Sequence, residues 1–259
     1  MEQTEKELLQ YKKRLKELAN KSFQQGIYTF SEFMGLPEQD AFWQTEREER
    51  SLFAAAGFRL FGGREQADRV MARFGNPEEL QYETEFPIAC VYICPDSRKF
   101  ADELTHRDFL GALMNLGIER SVLGDLVVGE KQAYLFCHQN MAAFICENLN
   151  KVKHTAVTAR IAEQYEQLPQ EEPVREMLQV SSPRADAVIA KVYRLSREES
   201  LQLFRGGRVY IDGRLCENNA RTLKPGEQVN ARGYGKFEFL GERGETRKGK
   251  QNVEAAVYR

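Results

Sequence analysis

Hydrophobic residues near the C-terminal end of the chain follow a helical repeat. Between residues 185 and 195 they recur at spacings of three and four, which predicts a helix with one buried face. Ser196 and Glu199 form a capping-box pattern, so a second helix is predicted to begin at once and to end at Gly206. Short apolar segments separated by Asp-Gly and Pro-Gly pairs follow, and they predict a small β-sheet packed on the two helices.

The middle of the chain has a different order of elements. Apolar segments and helical repeats between residues 86 and 161 predict strand, helix, strand, strand, helix and strand. This β-α-β-β-α-β order is typical of ferredoxin-like domains, and RNA-recognition modules share it with many unrelated domains. Upstream, an amphipathic helix over residues 2–19, a strand within 51–63 and a helix over 64–74 predict a smaller α+β unit.

We therefore predict an α+β protein with three domains and one linker. The N-terminal α+β domain spans residues 1–75, and the central ferredoxin-like (RRM-like) domain spans residues 76–168. Residues 169–182 contain prolines and glutamates and are predicted to form a linker, and the C-terminal domain occupies residues 183–259.

Composition and charge narrow the function. The 259 residues are 42% hydrophobic and 29% charged, and no apolar run approaches the roughly 18 residues that cross a bilayer. We expect a cytoplasmic protein with no membrane partner. The net charge of −2 is uneven, because residues 181–259 hold 16 Lys plus Arg against 10 Asp plus Glu, or +6, which leaves −8 for residues 1–180. A basic C-terminal part favours contact with nucleic acid.

Basic residues lie in or beside the two C-terminal helices. Guanidinium groups hold phosphate oxygens through paired hydrogen bonds, and N–H groups at the start of the second helix also favour anions. The segment RADAVIAKVYRLSREESLQLFRGGRVYIDGR, with NARGYGKFEF after it, resembles the S4 RNA-binding domain. The alternative is a capped helix pair with solvated arginines. The resemblance implies RNA contacts by Arg184, Lys191, Arg194, Ser196, Arg197, Arg205 and Arg208.

The whole chain, with HRDFLGALMNLGIERSVLGDLVV in its central part, resembles the YlmH family of bacterial S4-domain proteins. That resemblance implies a factor of ribosome-associated quality control that binds the large ribosomal subunit carrying peptidyl-tRNA. It implies contact with ribosomal RNA and tRNA and support for C-terminal tailing of the stalled chain. We expect a monomer with no catalytic residues and no cofactor.

Two other functions remain open from the sequence. S4 domains also occur in RNA-modifying enzymes such as pseudouridine synthases and an rRNA methyltransferase family, so such an enzyme is the alternative. The chain has no synthase GRLD signature, no Rossmann glycine fingerprint and no HIGH or KMSKS sequence, which disfavours an enzyme. A pure protein-interaction scaffold is the third possibility, and it requires the basic patch to be incidental.

Three aromatic residues of the predicted central sheet are candidates for a second RNA contact. RNA-recognition modules stack bases on aromatic side chains of the sheet, and Tyr92, Tyr134 and Phe136 are placed on the first and third strands of this one. Packing within the core is the alternative role for these rings.

Other candidate chemistry is weak. His106 and Asp108 could form an acid-base pair, but Thr105 before them predicts the start of a helix instead. The five cysteines include no CxxC pair, so we expect no disulfide and no metal site. A zinc site is the disfavoured alternative for four residues whose spacing fits strand interiors better: Cys90, Cys94, Cys137 and His138.

Overall fold

The computed structural model describes residues 2–97, 99, 102–162, 168, 172–246 and 249–258. The chain divides into two compact units, Met1–Pro169 and Gln170–Arg259. Helices and antiparallel sheets occur in both units, so the predicted α+β class is confirmed.

The first part of the N-terminal unit packs several helices against a small sheet. Its elements are α1 (Glu2–Gln25), β1 (Thr29–Phe30), α2 (Leu36–Glu48), α3 (Arg50–Ala56), β2 (Phe58–Phe61), β3 (Met71–Phe74) and α4 (Pro77–Leu80). The strands form an antiparallel sheet in the order β1-β3-β2. Aromatic rings fill the core between helices and sheet, and Phe42, Phe53 and Phe74 are completely buried there.

Two predictions for this part are wrong. The helix predicted over residues 64–74 is not formed, because residues 71–74 are strand β3, which pairs with β2. Within residues 51–63 the strand is confined to β2, and the residues before Gly57 belong to helix α3. Gly57 ends α3 with a φ of 67°, a left-handed conformation that glycine adopts without strain.

The second part of this unit has the predicted β-α-β-β-α-β order. Its elements are β4 (Ile88–Pro95), α5 (His106–Asn115), β5 (Leu123–Gly129), β6 (Gln132–His138), α6 (Gln139–Asn148), the short β7 (Lys151–Val152) and β8 (Thr155–Ile161). A 3-10 turn, Arg120–Val122, precedes β5. The sheet order is β5-β6-β4-β8-β7. Strand β4, the first of this part, therefore lies between β6 and β8, as in ferredoxin-like folds.

The C-terminal unit places two helices on a six-stranded antiparallel sheet. Its elements are β9 (Val174–Val180), α7 (Ala185–Val192), α8 (Arg197–Arg205), β10 (Val209–Ile211), β11 (Arg214–Leu215), β12 (Gln228–Ala231), β13 (Gly235–Glu245) and β14 (Gln251–Tyr258). The strand order is β11-β10-β12-β13-β14-β9. Val188 and Ile189 of α7 pack with Phe237 and Phe239 of β13 in a fully buried core.

The predicted linker over residues 169–182 is wrong for residues 174–180. Residues 174–180 are strand β9, which pairs with β14 from Val174 opposite Val257 to Val180 opposite Gln251. The polar residues of β9 suit an edge strand, where one side of the strand has no neighbour. Residues 169–171 of the predicted linker lie outside the described residues.

Candidate nucleic-acid interface

The turn between α7 and α8 is built by its own side chains. Ser196 caps α8, because its Oγ accepts a hydrogen bond from the N–H of Glu199 at 3.2 Å. The Glu199 carboxylate accepts from the N–H of Ser196 at 2.8 Å, and these hydrogen bonds lower the pKa of Glu199. The predicted capping box is therefore confirmed. Because a carboxylate already occupies the start of α8, side chains rather than the helix end must attract an external anion.

A buried aspartate ties the two helices together. The Asp186 carboxylate is buried and accepts hydrogen bonds from Arg184 Nε at 3.1 Å, Arg184 Nη2 at 2.6 Å and Asn219 Nδ2 at 2.8 Å. Its main-chain oxygen accepts from Ser200 Oγ of α8 at 2.8 Å. Burial alone would raise the pKa of Asp186, but the hydrogen bonds from Arg184 and Asn219 outweigh burial and hold this pKa below its ordinary value.

Three of the predicted RNA-binding residues line one groove. Arg184, Lys191 and Arg197 border a surface groove of about 440 Å³, together with the end of β9 and the small side chains of Ala187 and Ala190. We name this feature the basic groove. Asp186 is the acidic residue of its described lining, and its charge is already matched by Arg184. Lys191 and Arg197 are exposed and have no carboxylate partner within the described residues.

The basic groove has a fourth cation that the sequence analysis did not include. Lys250 also lines the groove, although it lies in the connection between β13 and β14, far from the two helices in sequence. Hydrogen bonds between Lys250 and Thr246, from Lys250 N to Thr246 Oγ1 at 3.0 Å and from Thr246 N to Lys250 O at 2.6 Å, close this turn. The run of glycine, lysine and arginine in residues 241–250 was the available signal.

The other three predicted basic contacts lie outside the described lining of the basic groove. Arg205 donates to Glu198 at 2.9 Å, and both side chains are more than half exposed. Arg208 donates from Nη2 to the main-chain oxygen of Arg232 at 2.5 Å. Arg194 is exposed in a left-handed conformation with a φ of 54°, at the point where the chain leaves α7. The described lining of the basic groove contains none of these three predicted residues.

The aromatic residues of the central sheet do not form an open stacking surface. Phe136 is 1% exposed, and a Cβ atom on Gly63 would lie 2.4 Å from its ring, so backbone covers this side chain. The burial of Phe136 favours the alternative role for this ring, which is packing within the core. Tyr134 is also buried. The half-buried Tyr92 ring lies 5.1 Å from the Tyr134 ring and has the Arg160 guanidinium 5.1 Å from its centroid.

Asp125, within the central segment HRDFLGALMNLGIERSVLGDLVV, has a structural role. Asp125 is buried, and its carboxylate accepts from Arg64 Nη2 at 2.8 Å and from the main-chain N–H groups of Asp68 and Arg69 at 3.0 and 2.9 Å. These bonds fasten the segment before β3 to strand β5. Thr105 caps α5 and forms a capping box with Asp108, which confirms the predicted helix start. Hydrogen bonds from the main chain and the side chain of Thr105 lower the pKa of Asp108.

The cysteines are poor candidates for metal binding. Burial raises the pKa of the Cys90 and Cys137 thiols to about 12, which keeps them protonated, whereas zinc requires thiolate ligands. His138 Nδ1 accepts from the N–H of Asn140 at 3.3 Å and so caps α6. No group of three or more metal-ligating side chains occurs among the described residues. Within the same residues, no helix is long and apolar enough to span a membrane.

Comparisons with known proteins point to one family. A family model described as "Putative RNA-binding domain in YlmH" matches residues 82–166. Over 209 residues the chain is 28% identical to "Ribosome-associated protein quality control protein P2" of Bacillus subtilis (strain 168), a match that covers 77% of each protein. The solved structure of "Cell division protein ylmH from Streptococcus pneumoniae" aligns with 64% of this chain and 94% of that one, with 21% identity and a TM-score of 0.45. The family model and the Bacillus relative support the resemblance to the YlmH family.

Proposed function

We propose that this protein is a ribosome-associated RNA-binding factor of translational quality control. It binds the large ribosomal subunit that still carries peptidyl-tRNA, and it supports C-terminal tailing of the stalled chain. The basic groove is the observation that carries this proposal. The name of the Bacillus relative supports the association with ribosomes and with quality control, and the description of the matching family model supports RNA binding.

The chemistry of the basic groove suits a phosphate backbone. Lys191, Arg197 and Lys250 come from three separate segments and share one groove, so their charges add at one place on the surface. The planar guanidinium of Arg197 can hold two phosphate oxygens at once. Arg184 contributes to the shape of the groove more than to its charge, because Asp186 matches its charge.

The C-terminal domain that carries the groove is proposed to be an S4-type RNA-binding domain. The helix pair, its capping box and the sheet behind it have the order expected from the sequence resemblance. Strand β9 belongs to the same sheet, so we propose that this domain begins at Val174 rather than at residue 183. The domains proposed over residues 1–75 and 76–168 then form the rest of the chain.

Sedimentation tests the proposed target. A tagged copy of the protein, expressed in cells whose ribosomes are stalled, should migrate through a sucrose gradient with free large subunits that contain tRNA. Accumulation on small subunits, or in the fractions without RNA, would contradict the proposal. Ribonuclease treatment of the large-subunit fraction provides the control, because it should release the protein.

We also propose that the protein has no catalytic activity of its own. Its contribution would then be binding, and its effect on tailing would depend on other factors on the same subunit. Incubation of the purified protein with ribosomal RNA, followed by mass mapping of the RNA, should reveal no new modification. A stoichiometric modification that requires the protein would favour the RNA-modifying enzyme instead.

A further inference from the structure

The turn between β12 and β13 presents a tyrosine to solvent. Ala231 accepts a hydrogen bond from the N–H of Tyr234 at 2.9 Å, which closes a four-residue turn around Arg232 and Gly233. Gly233 has a φ of 90°, the left-handed conformation that glycine adopts in the third position of a type II turn. The Tyr234 side chain is 44% exposed at the tip of this turn.

Other side chains hold the turn in place from behind. The Tyr193 ring lies 5.7 Å from the Tyr234 ring and itself packs against Phe237, at 6.1 Å. Arg208 donates to the main-chain oxygen of Arg232, and its guanidinium lies 5.9 Å from the centroid of Tyr234. The Tyr234 ring thus already has two packing neighbours before any ligand arrives, which reduces the ordering cost of binding.

Glycine at position 233 is part of this arrangement. A Cβ atom there would lie 2.5 Å from Arg208 Nη2, so a side chain would displace the guanidinium that fastens the turn. The close approach of Arg208 therefore depends on Gly233 as much as the turn conformation does.

The charge around the exposed ring indicates what binds there. Residues 231–237 contain no acidic residue, and Arg232 among them is exposed. Lys236 is buried, with its Nζ 5.0 Å from the Tyr258 ring centroid, and is not available to a ligand. Arg208 is the second cation beside the exposed ring. Aromatic rings next to arginines are the usual platform for single-stranded nucleic acid, because the base of each nucleotide can stack on the ring while its phosphate contacts the cation. An apolar peptide would use the ring but not the two cations.

We propose that Tyr234 is a stacking platform for the base of an unpaired RNA nucleotide, and that the phosphate of this nucleotide contacts Arg232. The inference rests on the proposed function, since RNA must first bind to the C-terminal domain. It adds a preference for unpaired nucleotides to an interface whose basic groove recognises phosphates alone.

Two matched RNA hairpins test the inference. One carries a loop of adenines, and the other has the same stem and the same number of loop phosphates but abasic loop residues. The wild-type protein should bind the adenine loop about tenfold more tightly. Tyr234→Ala should bind both hairpins equally, and Tyr234→Phe should keep the preference because the ring remains.

Controls separate stacking from other effects. Met177→Ala removes another exposed apolar side chain of the same unit, from β9, and should retain the wild-type preference. Arg197→Ala should weaken binding to both hairpins by a similar factor. Equal binding of the wild-type protein to the two hairpins, or an unchanged preference in Tyr234→Ala, would overturn this inference alone. Failure of the wild-type protein to bind either hairpin would overturn the proposed function as well.

Discussion

Replacement of Arg197 by alanine isolates the contribution of the basic groove to RNA binding. Arg197 is the first residue of α8, is exposed and lines the groove. Arg205, at the other end of α8, is the matched control, because it is also exposed but pairs with Glu198 outside the groove lining. Neither substitution removes a buried contact, so both variants should melt at nearly the wild-type temperature.

The expected size of the effect follows from the number of outward-facing cations. Lys191, Arg197 and Lys250 remain after the Arg184–Asp186 pair is set aside. If each neutralises one phosphate, the logarithm of the binding constant falls with the logarithm of salt with a slope of about −2.7. Affinity should then drop about 40-fold between about 50 and 200 mM salt.

Loss of Arg197 should change both affinity and slope. The slope should fall to about −1.8, which corresponds to a drop of about 12-fold over the same range of salt. At fixed low salt the variant should bind about 10- to 100-fold more weakly, the range for one charge-assisted hydrogen bond. Arg205→Ala should change the affinity by less than about fivefold, because an exposed ion pair contributes little.

Fluorescence anisotropy with a labelled RNA hairpin at a series of salt concentrations measures both quantities. An unchanged slope for a well-folded Arg197→Ala protein would show that Arg197 contacts no phosphate. An equal loss of affinity in Arg205→Ala would show that the charge of α8, rather than the basic groove, attracts the RNA. Either result refutes the reasoning.

Three further predictions concern stability. Asp186→Ala should lower the free energy of unfolding by about 1.5 to 3 kcal/mol at neutral pH. Because the folded pKa of Asp186 lies below its unfolded value, this contribution is present above about pH 4 and lost at lower pH, so the difference from wild type in urea titrations should shrink with acid. Phe136→Ala should lower the unfolding free energy by about 3 to 5 kcal/mol and leave the RNA affinity of the folded protein unchanged; a selective loss of RNA binding would contradict the burial argument. Gly63→Ala should lower the melting temperature more than Gly117→Ala, since both positions have a left-handed φ but only at Gly63 would the new Cβ meet a ring; equal losses would contradict this.

Elements with local sequence signals were predictable. The spacing of apolar residues and the Ser196–Glu199 pattern predicted α7 and α8, because a helix and its cap depend on residues within a few positions of each other. The same holds for the start of α5, where Thr105 and Asp108 are three residues apart. The order of elements in the central sheet followed from such segments in sequence.

Elements that depend on distant partners were missed. Strand β9 lies between two prolines and mixes apolar and polar residues without alternation, and its partner β14 begins at residue 251, so no local pattern identified it. Strand β3 lies within the segment 64–74 that was predicted as a helix, and it pairs with β2. In the structure Arg73 is buried in β3 and donates from its two Nη atoms to the main-chain oxygen of Thr84 and to Glu83, the latter at 3.2 Å. Such partners are visible only in three dimensions.

The candidate site shows the same limit. The sequence identified the basic residues of the helix pair but not which of them share a groove. Arg208 is drawn away by the main-chain oxygen of Arg232, and Lys250 joins the groove from a turn between strands. The burial of Phe136 against Gly63 likewise depends on a contact across 73 residues of sequence.

A density map of the protein bound to a large ribosomal subunit with peptidyl-tRNA tests the central claim most directly. The account predicts RNA phosphates in the basic groove, within hydrogen-bonding distance of Lys191 and Arg197. A bound protein whose basic groove faces solvent or a ribosomal protein, with no RNA against α7 and α8, would contradict it.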